Sequence, residues 1–240
     1  MTQQNRPPVS PVFNFLNPDN YLLEGHGKIN IDTDGNLIIE TFRIRPDAKA
    51  TNVWLTNFEL PDNFEAKFSF KSTSENGNTM IIFNALPVGL INIFDDERID
   101  ARYCDLASHR KMQAYTVGFH RSVSGRPSVL RKLGGMVPLK WGDAVYPSPA
   151  WKEMDSITTI SSVYEPTAPE EKGNFHHYHL IKTGNRIIFK ADETIVHDYI
   201  DNLEYPYCDN VLKNGCIGFR NFSGPAIDIY SELKIKAIKD

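Results

Sequence analysis

The sequence has no apolar run long enough to cross a membrane as a helix, and its first eight residues lack the apolar segment of a secretory signal. Cysteine is also scarce. Its three copies among 240 residues, at positions 104, 208 and 216, are an odd number at wide spacing, which fits neither a zinc pattern nor a disulfide framework. We therefore expect a cytoplasmic protein with reduced thiols and no membrane partner, or a periplasmic or secreted one if a signal segment has been removed.

Basic charge is not in excess, because 26 Lys and Arg stand against 30 Asp and Glu, for a formal net charge of -4. We therefore expect no nucleic-acid partner. Several enzyme signatures are missing too: a Gly-x-Ser-x-Gly elbow, a glycine-rich phosphate loop before a helix, and the Glu-x-Asp-x-x-Glu strand of sandwich glucanases. The acidic clusters at residues 95–97 and 170–171 fall in predicted loops, where charge runs are usually solvated.

What the sequence does contain is a long series of strand signals. The turn Asp32–Asn36 separates two strand-like segments, and its Gly35 supplies the positive φ angle of a tight hairpin. Alternating segments linked by short turns predict an antiparallel meander over residues 176–199. With roughly a dozen short strands and no long helix, the sequence predicts an all-β fold, an antiparallel jelly-roll sandwich of two packed sheets. We expect an extended, proline-rich arm over residues 1–20 and a single domain over residues 21–240.

The segment Ala114–Lys132 combines strand periodicity with the densest polar chemistry of the chain. Period-2 alternation places Tyr115, Val117 and Phe119 on one face, which we predict to pack in the core. His120 falls on the other face, where it is free to meet a ligand. The same segment therefore predicts both an inner strand and part of a site.

Cationic side chains around this segment suggest a reaction. Guanidinium groups bind carboxylates bidentately, and a nearby histidine can abstract a proton whose acidity that neutralisation has raised. This is the chemistry of β-elimination from a uronic acid, so the leading hypothesis is a polysaccharide lyase acting on acidic oligosaccharides or polysaccharides. The predicted catalytic residues are His120, Arg121, Arg131 and His109, and the predicted substrate-binding residues are Asn84, Lys132, Trp141, Trp151, His179 and Arg220.

Three alternatives stay open. A non-catalytic glycan-binding module would use the same sheet with Trp141 or Trp151 as a stacking platform, and a glycoside hydrolase would use loop carboxylates. The cationic cluster could also be a solvated sheet edge. His177 and His179 share a strand face, but no third ligand is marked, so we predict no metal and no cofactor. The oligomeric state is left open.

Five segments, taken together, resemble the YesU-like family, also known as domain of unknown function 1961. They are Trp54 with Pro61–Glu65, the strand Met80–Ala85, the segment Ala114–Arg121, Leu130–Lys132, and the closing Gly215–Arg220. The resemblance runs from about residue 20 to the C-terminus. It implies a concanavalin A-like sandwich related to laminin G, in a family whose type member is associated with bacterial use of rhamnogalacturonan. Arg121, Arg131 and Arg220 match the family pattern.

Overall fold

A computed structural model describes eleven stretches of the chain. They are residues 18–25, 27–42, 50–55, 58–73, 78–87, 112–119, 128–133, 157–163, 174–203, 210–222 and 225–239. Within these stretches, the search for a helix of sufficient length and apolarity to span a membrane finds none. Most of the predicted N-terminal arm lies outside them, and its last three residues, Pro18–Asn20, form a single 3-10 turn.

The described residues form fourteen β-strands and no α-helix. The strands are β1 (Tyr21–Gly25), β2 (Gly27–Ile31), β3 (Leu37–Thr41), β4 (Ala50–Leu55), β5 (Phe64–Ser72), β6 (Asn78–Pro87), β7 (Met112–Phe119), β8 (Ser128–Leu133), β9 (Ile157–Val163), β10 (His176–Thr183), β11 (Arg186–Ala191), β12 (Thr194–Ile200), β13 (Cys216–Phe222) and β14 (Ala226–Ala237). Most of them have 5–10 residues, the usual length of strands in globular proteins, and β14 is the longest described strand, with 12.

The strands make two seven-stranded sheets. The front sheet has the order β1-β4-β13-β6-β7-β8-β9, and the back sheet has the order β12-β11-β10-β5-β14-β3-β2. Neighbours pair antiparallel throughout. The predicted fold class, an antiparallel two-sheet jelly-roll sandwich, is confirmed.

Aromatic side chains fill the space between the sheets. Phe68 and Phe70 of β5 lie within 5.5 Å, ring centre to ring centre, of Phe119 on β7. Tyr178 stacks on Phe68 at 5.4 Å. Tyr115 is fully buried in the same layer, as the alternation of β7 predicts. Aromatic pairs of this geometry add to the stability that area burial already gives.

Local sequence explains the hairpins. In the turn between β2 and β3, Gly35 has a φ of 82°, and the Asp32 carboxylate accepts backbone N–H groups of Asp34 and Asn36 at 2.9 and 2.8 Å. The β10–β11–β12 meander turns at Gly184, whose φ is 57°. Both predicted features are present, because each turn residue has the conformation that the turn requires.

Buried polar contacts join β8 to the far sheet at both of its ends. Lys132 Nζ donates to Asp201 Oδ2 at 2.7 Å, and the Tyr115 hydroxyl donates to the same carboxylate. At the other end, Ser128 Oγ contacts His197 Nε2 at 2.9 Å while donating to a backbone carbonyl. Since the serine proton is used there, the Nε2 of His197 must carry the proton it shares with Ser128. Burial lowers the pKa of His197 to about 4, so this imidazole is neutral near pH 7.

Candidate functional site

The candidate site lies on the outer face of the front sheet, which we call the front face. In an antiparallel ladder, residues directly opposite one another point to the same side, so register alone assembles rows across the strands. One row runs Glu24, Asn52, Arg220, Met80, Gly118, Val129, and the next runs Leu22, Trp54, Gly218, Ile82, Thr116, Arg131. The front face thus carries two arginines separated by small and apolar side chains.

Arg131 and Arg220 are held close enough to influence each other. Burial lowers the pKa of Arg131 below its usual value, and the charge of Arg220 lowers it further. Arg131 is half-buried, and its Nε is buried with no hydrogen-bond partner in the described part of the chain. Arg220 is 6% exposed. An arginine keeps its charge in proteins, so two partly desolvated guanidinium groups on one face favour an anionic ligand between them.

At the other side of Arg220, a carboxylate organises two neighbours. Trp54 Nε1 donates to Glu24 Oε2 at 2.7 Å, and Asn52 Nδ2 donates to the same oxygen at 3.3 Å. The indole is fully buried and lies against β13, where a Cβ at Gly218 would be 2.7 Å from its Cε3 atom. Gly218 therefore leaves the room that the Trp54 indole occupies against β13.

Asn84 sits at an irregularity of β6. The register with β7 shifts between Phe83 and Leu86, and Asn84 has a φ of 48°, a left-handed conformation that asparagine tolerates better than most residues. Asn84 is fully buried, and neither of its amide atoms finds a hydrogen-bond partner among the described residues. Strained backbone with unpaired polar atoms is a feature often found at ligand sites.

The structure corrects the predicted placement of Lys132. Its neighbour Arg131 faces outward, so alternation turns Lys132 into the interior, where it is 1% exposed and paired with Asp201. A second hydrogen bond goes to the backbone carbonyl of Asn210 at 2.8 Å. Lys132 therefore belongs to the folding core, and it does not contribute to the front face.

His179 is also separated from the arginines. It lies on the outer face of the back sheet, where its Nε2 contacts Glu65 Oε2 at 3.1 Å. Burial, followed by the charge of Lys67, lowers its pKa, so it is neutral near pH 7. Its strand neighbour His177 contacts Ser69 Oγ at 2.8 Å, and the described residues contain no group of three potential metal ligands. His179 therefore cannot act in the same site as Arg131.

The remaining predicted residues lie outside the described residues. They are His109, His120, Arg121, Trp141 and Trp151. Their assigned roles stay predictions. Of the predicted set, the structure therefore brings together Arg131 and Arg220 on one face and places Asn84 at a bulge of the same sheet.

Comparison with solved structures finds the same architecture. A Bacillus subtilis protein of unknown function with a galectin-like fold aligns with a TM-score of 0.69 and 19% identity over 91% of this chain and 90% of its own. A Bacteroides ovatus mixed-linkage glucan GH16 protein, in complex with a G4G4G3G product, aligns with a TM-score of 0.55 and 12% identity over 94% and 98%. The carbohydrate-binding module CBM66 from Bacillus subtilis aligns with a TM-score of 0.52 and 11% identity over 96% and 100%.

No family model matches the chain, and no curated protein matches it. At these identities the structural likeness shows the fold, a galectin-like jelly-roll sandwich, and leaves function to be argued from the site.

Proposed function

We propose that this protein binds an acidic oligosaccharide on its front face and cleaves it by β-elimination, as a member of the YesU-like family. The observation that carries the proposal is the pair of guanidinium groups of Arg131 and Arg220, partly buried and mutually repelling on one face of a jelly-roll sandwich. A uronate carboxylate between them would relieve that repulsion and form charge-assisted hydrogen bonds. The structural neighbours that carry a glycan product or bear the name of a carbohydrate-binding module support a glycan as the ligand.

In the proposed reaction, the arginines neutralise the carboxylate and so raise the acidity of the adjacent C5–H bond. A base then takes the C5 proton, the C4–O bond breaks, and a C4=C5 double bond forms as the leaving oxygen acquires a proton. His120 or His109 is the predicted base. Hydrolysis is less well supported, because it uses a pair of carboxyl groups, and Glu24 is the one carboxylate that the two rows carry in the described part of the front face.

A second candidate is glycan binding without catalysis. The fold likeness to a carbohydrate-binding module, which aligns over its whole length, favours it. The same arginine pair would hold the ligand, and no bond would be broken. The two candidates differ in product formation: a lyase releases unsaturated product, and a binding module does not.

The test uses galacturonate, alginate and hyaluronan oligosaccharides, with a neutral β-glucan oligosaccharide for comparison. Calorimetry measures binding, ultraviolet absorbance follows unsaturated uronate, and a reducing-end assay follows hydrolysis. Unsaturated product supports the lyase, reducing ends without it support a hydrolase, and binding alone supports the module. A protein that binds none of the acidic oligosaccharides refutes the proposal.

Two substitutions localise the site. Arg131→Gln and Arg220→Gln should each weaken binding of an acidic oligosaccharide by on the order of 10- to 100-fold, since each removes charge-assisted hydrogen bonds. Arg186→Gln is the matched control, because Arg186 is exposed on the back sheet and pairs with Asp198 at 2.7 Å. Equal affinity in all three variants would place the site elsewhere.

A further inference from the structure

Asn52 stands between two charged groups of the front face. Register places it directly opposite Glu24 on β1 and directly opposite Arg220 on β13. It is 2% exposed, so its amide is held within the sheet surface. A residue in this position can contact the part of a ligand that lies next to a carboxylate bound by Arg220.

The amide of Asn52 has one permitted orientation. Its partner at 3.3 Å is a carboxylate oxygen of Glu24, which accepts hydrogen bonds and donates none when ionised. The amide nitrogen must therefore face Glu24, and the amide oxygen occupies the other position. A flipped amide would place two acceptors against each other.

That oxygen, Asn52 Oδ1, is a buried acceptor without a donor. No described residue donates a hydrogen bond to it, Arg220 included. Buried polar atoms in folded proteins are almost always paired, so an acceptor that the fold holds in place without a partner calls for an explanation. Here the orientation is enforced by Glu24, which is itself held by the Trp54 indole at 2.7 Å.

We propose that Asn52 is a specificity-determining residue whose Oδ1 accepts a hydrogen bond from a free ring hydroxyl of the acidic sugar held by Arg220. Glu24 and Trp54 are positioning residues, which keep the oxygen turned toward the ligand. The inference rests on the proposed function and extends it to the substrate class: uronate sugars with unmodified ring hydroxyls. An O-acetyl group removes the donor and adds bulk, so O-acetylated uronates bind more weakly.

The test compares three forms of one oligogalacturonate: the unmodified acid, the O-acetylated acid and the methyl ester. If another acidic oligosaccharide binds better, the same three forms are made from it. The wild-type protein should bind the unmodified acid about tenfold more tightly than the O-acetylated acid, the value of one hydrogen bond to a buried acceptor. Asn52→Leu should lower affinity for the unmodified acid about tenfold and abolish that preference.

Two variants of Glu24 test the positioning role. Glu24→Gln keeps an acceptor for both the indole and the amide, so the preference for the unmodified acid should be retained. Glu24→Met removes the acceptor and lets the Asn52 amide turn over, so the preference should fall. If Asn52→Leu does not fold, Asn52→Val provides the same comparison, because valine also lacks an acceptor and is a β-branched residue suited to a strand.

The outcomes separate the two proposals. The methyl ester lacks the anion but keeps its hydroxyls, so undiminished binding of the ester overturns the proposed function. If the ester binds poorly but the wild-type protein does not distinguish the acetylated acid, or Asn52→Leu keeps the distinction, the role of Asn52 is wrong and the arginine site stands. If Glu24→Met and Glu24→Gln prefer the unmodified acid over the O-acetylated acid to the same degree, Glu24 does not position Asn52. The roles of Asn52 and of the arginines then stand.

Discussion

The buried carboxyl of Asp228 should make this protein less stable as the pH rises. Asp228 points into the core from β14, opposite Ile39 and Ser72 on the flanking strands, and it is 1% exposed. Neither carboxyl oxygen makes a well-formed hydrogen bond within the described residues. Burial raises the pKa of Asp228 from 3.8 to about 7, and the nearby Ser72 hydroxyl offsets this only in part. The folded protein therefore holds a proton that the unfolded chain releases near pH 4.

The difference between the folded and unfolded pKa of Asp228 determines the direction and size of the change in stability with pH. Between about pH 4 and pH 7 the folded state binds more protons than the unfolded state, so the free energy of unfolding falls with rising pH and then levels off. A difference of about three pH units corresponds to about 4 kcal/mol, of which about 2–3 kcal/mol falls between pH 5 and pH 8. Replacing Asp228 by Asn keeps the shape and removes the titration.

The measurement is urea unfolding of the wild-type protein and Asp228→Asn at pH 5 and pH 8. The free energy of unfolding of Asp228→Asn, relative to that of the wild type, should be about 2–3 kcal/mol higher at pH 8 than at pH 5. The cost of burying the amide is the same at both pH values, so it does not affect this comparison. Asp198→Asn is the control, because Asp198 is exposed and its pKa is lowered by Arg186, so it should show no such gain. A stability difference that is the same at both pH values would falsify the argument.

Two further substitutions test the contacts that join the sheets. Lys132→Met should lower the free energy of unfolding by about 3–5 kcal/mol, because it leaves the Asp201 carboxylate buried without its cation, while glycan affinity per folded molecule stays unchanged. Reduced affinity with normal stability would return Lys132 to the ligand site. Between pH 7 and pH 5, the free energy of unfolding should fall less for His197→Gln than for the wild type, by up to about 2 kcal/mol. The reason is that, in the wild type, His197 takes up a proton in this range only when the chain is unfolded. Parallel unfolding curves for the two proteins would show that His197 is not buried neutral.

Local patterns were sufficient to predict the fold. The Asp32–Asn36 turn, the alternation in β7 and the meander over residues 176–199 each depend on residues close together in the sequence, and the structure has all three. The order of strands within each sheet was not predictable in this way. Pairing of β13 with both β4 and β6 joins segments more than 100 residues apart, and nothing local marks such partners.

The candidate site was predictable only in part, for two physical reasons. Arg131 and Lys132 are neighbours on a strand, and neighbouring strand residues point to opposite faces of the sheet, as the predicted alternation of Tyr115 and His120 already implied. The two cations therefore cannot share a face. His179 was grouped with the arginines by chemistry alone. Its strand belongs to the back sheet, which a single sequence does not reveal.

The sequence analysis did not predict the proposed roles of Glu24, Asn52 and Trp54. The strands that carry them, β1 and β4, show no alternation of buried and exposed positions, so no local signal marks these residues. Their importance comes from the pairing of β1 with β4 and of β4 with β13, which puts the carboxylate, the amide and Arg220 in one row. Long-range register therefore decides which polar residues act together.

The attachment of β8 at both of its ends limits how the ligand specificity of this protein can be engineered. Arg131 sits on a strand whose ends are tied to His197 and Asp201, residues of the opposite sheet and the segment after it. A mutant library confined to the front face would leave those ties unchanged and sample only one guanidinium position. Varying His197 or Asp201 would instead cost stability, because it leaves Ser128 or Lys132 without its buried partner, so a search for altered selectivity should keep these two distant residues unchanged.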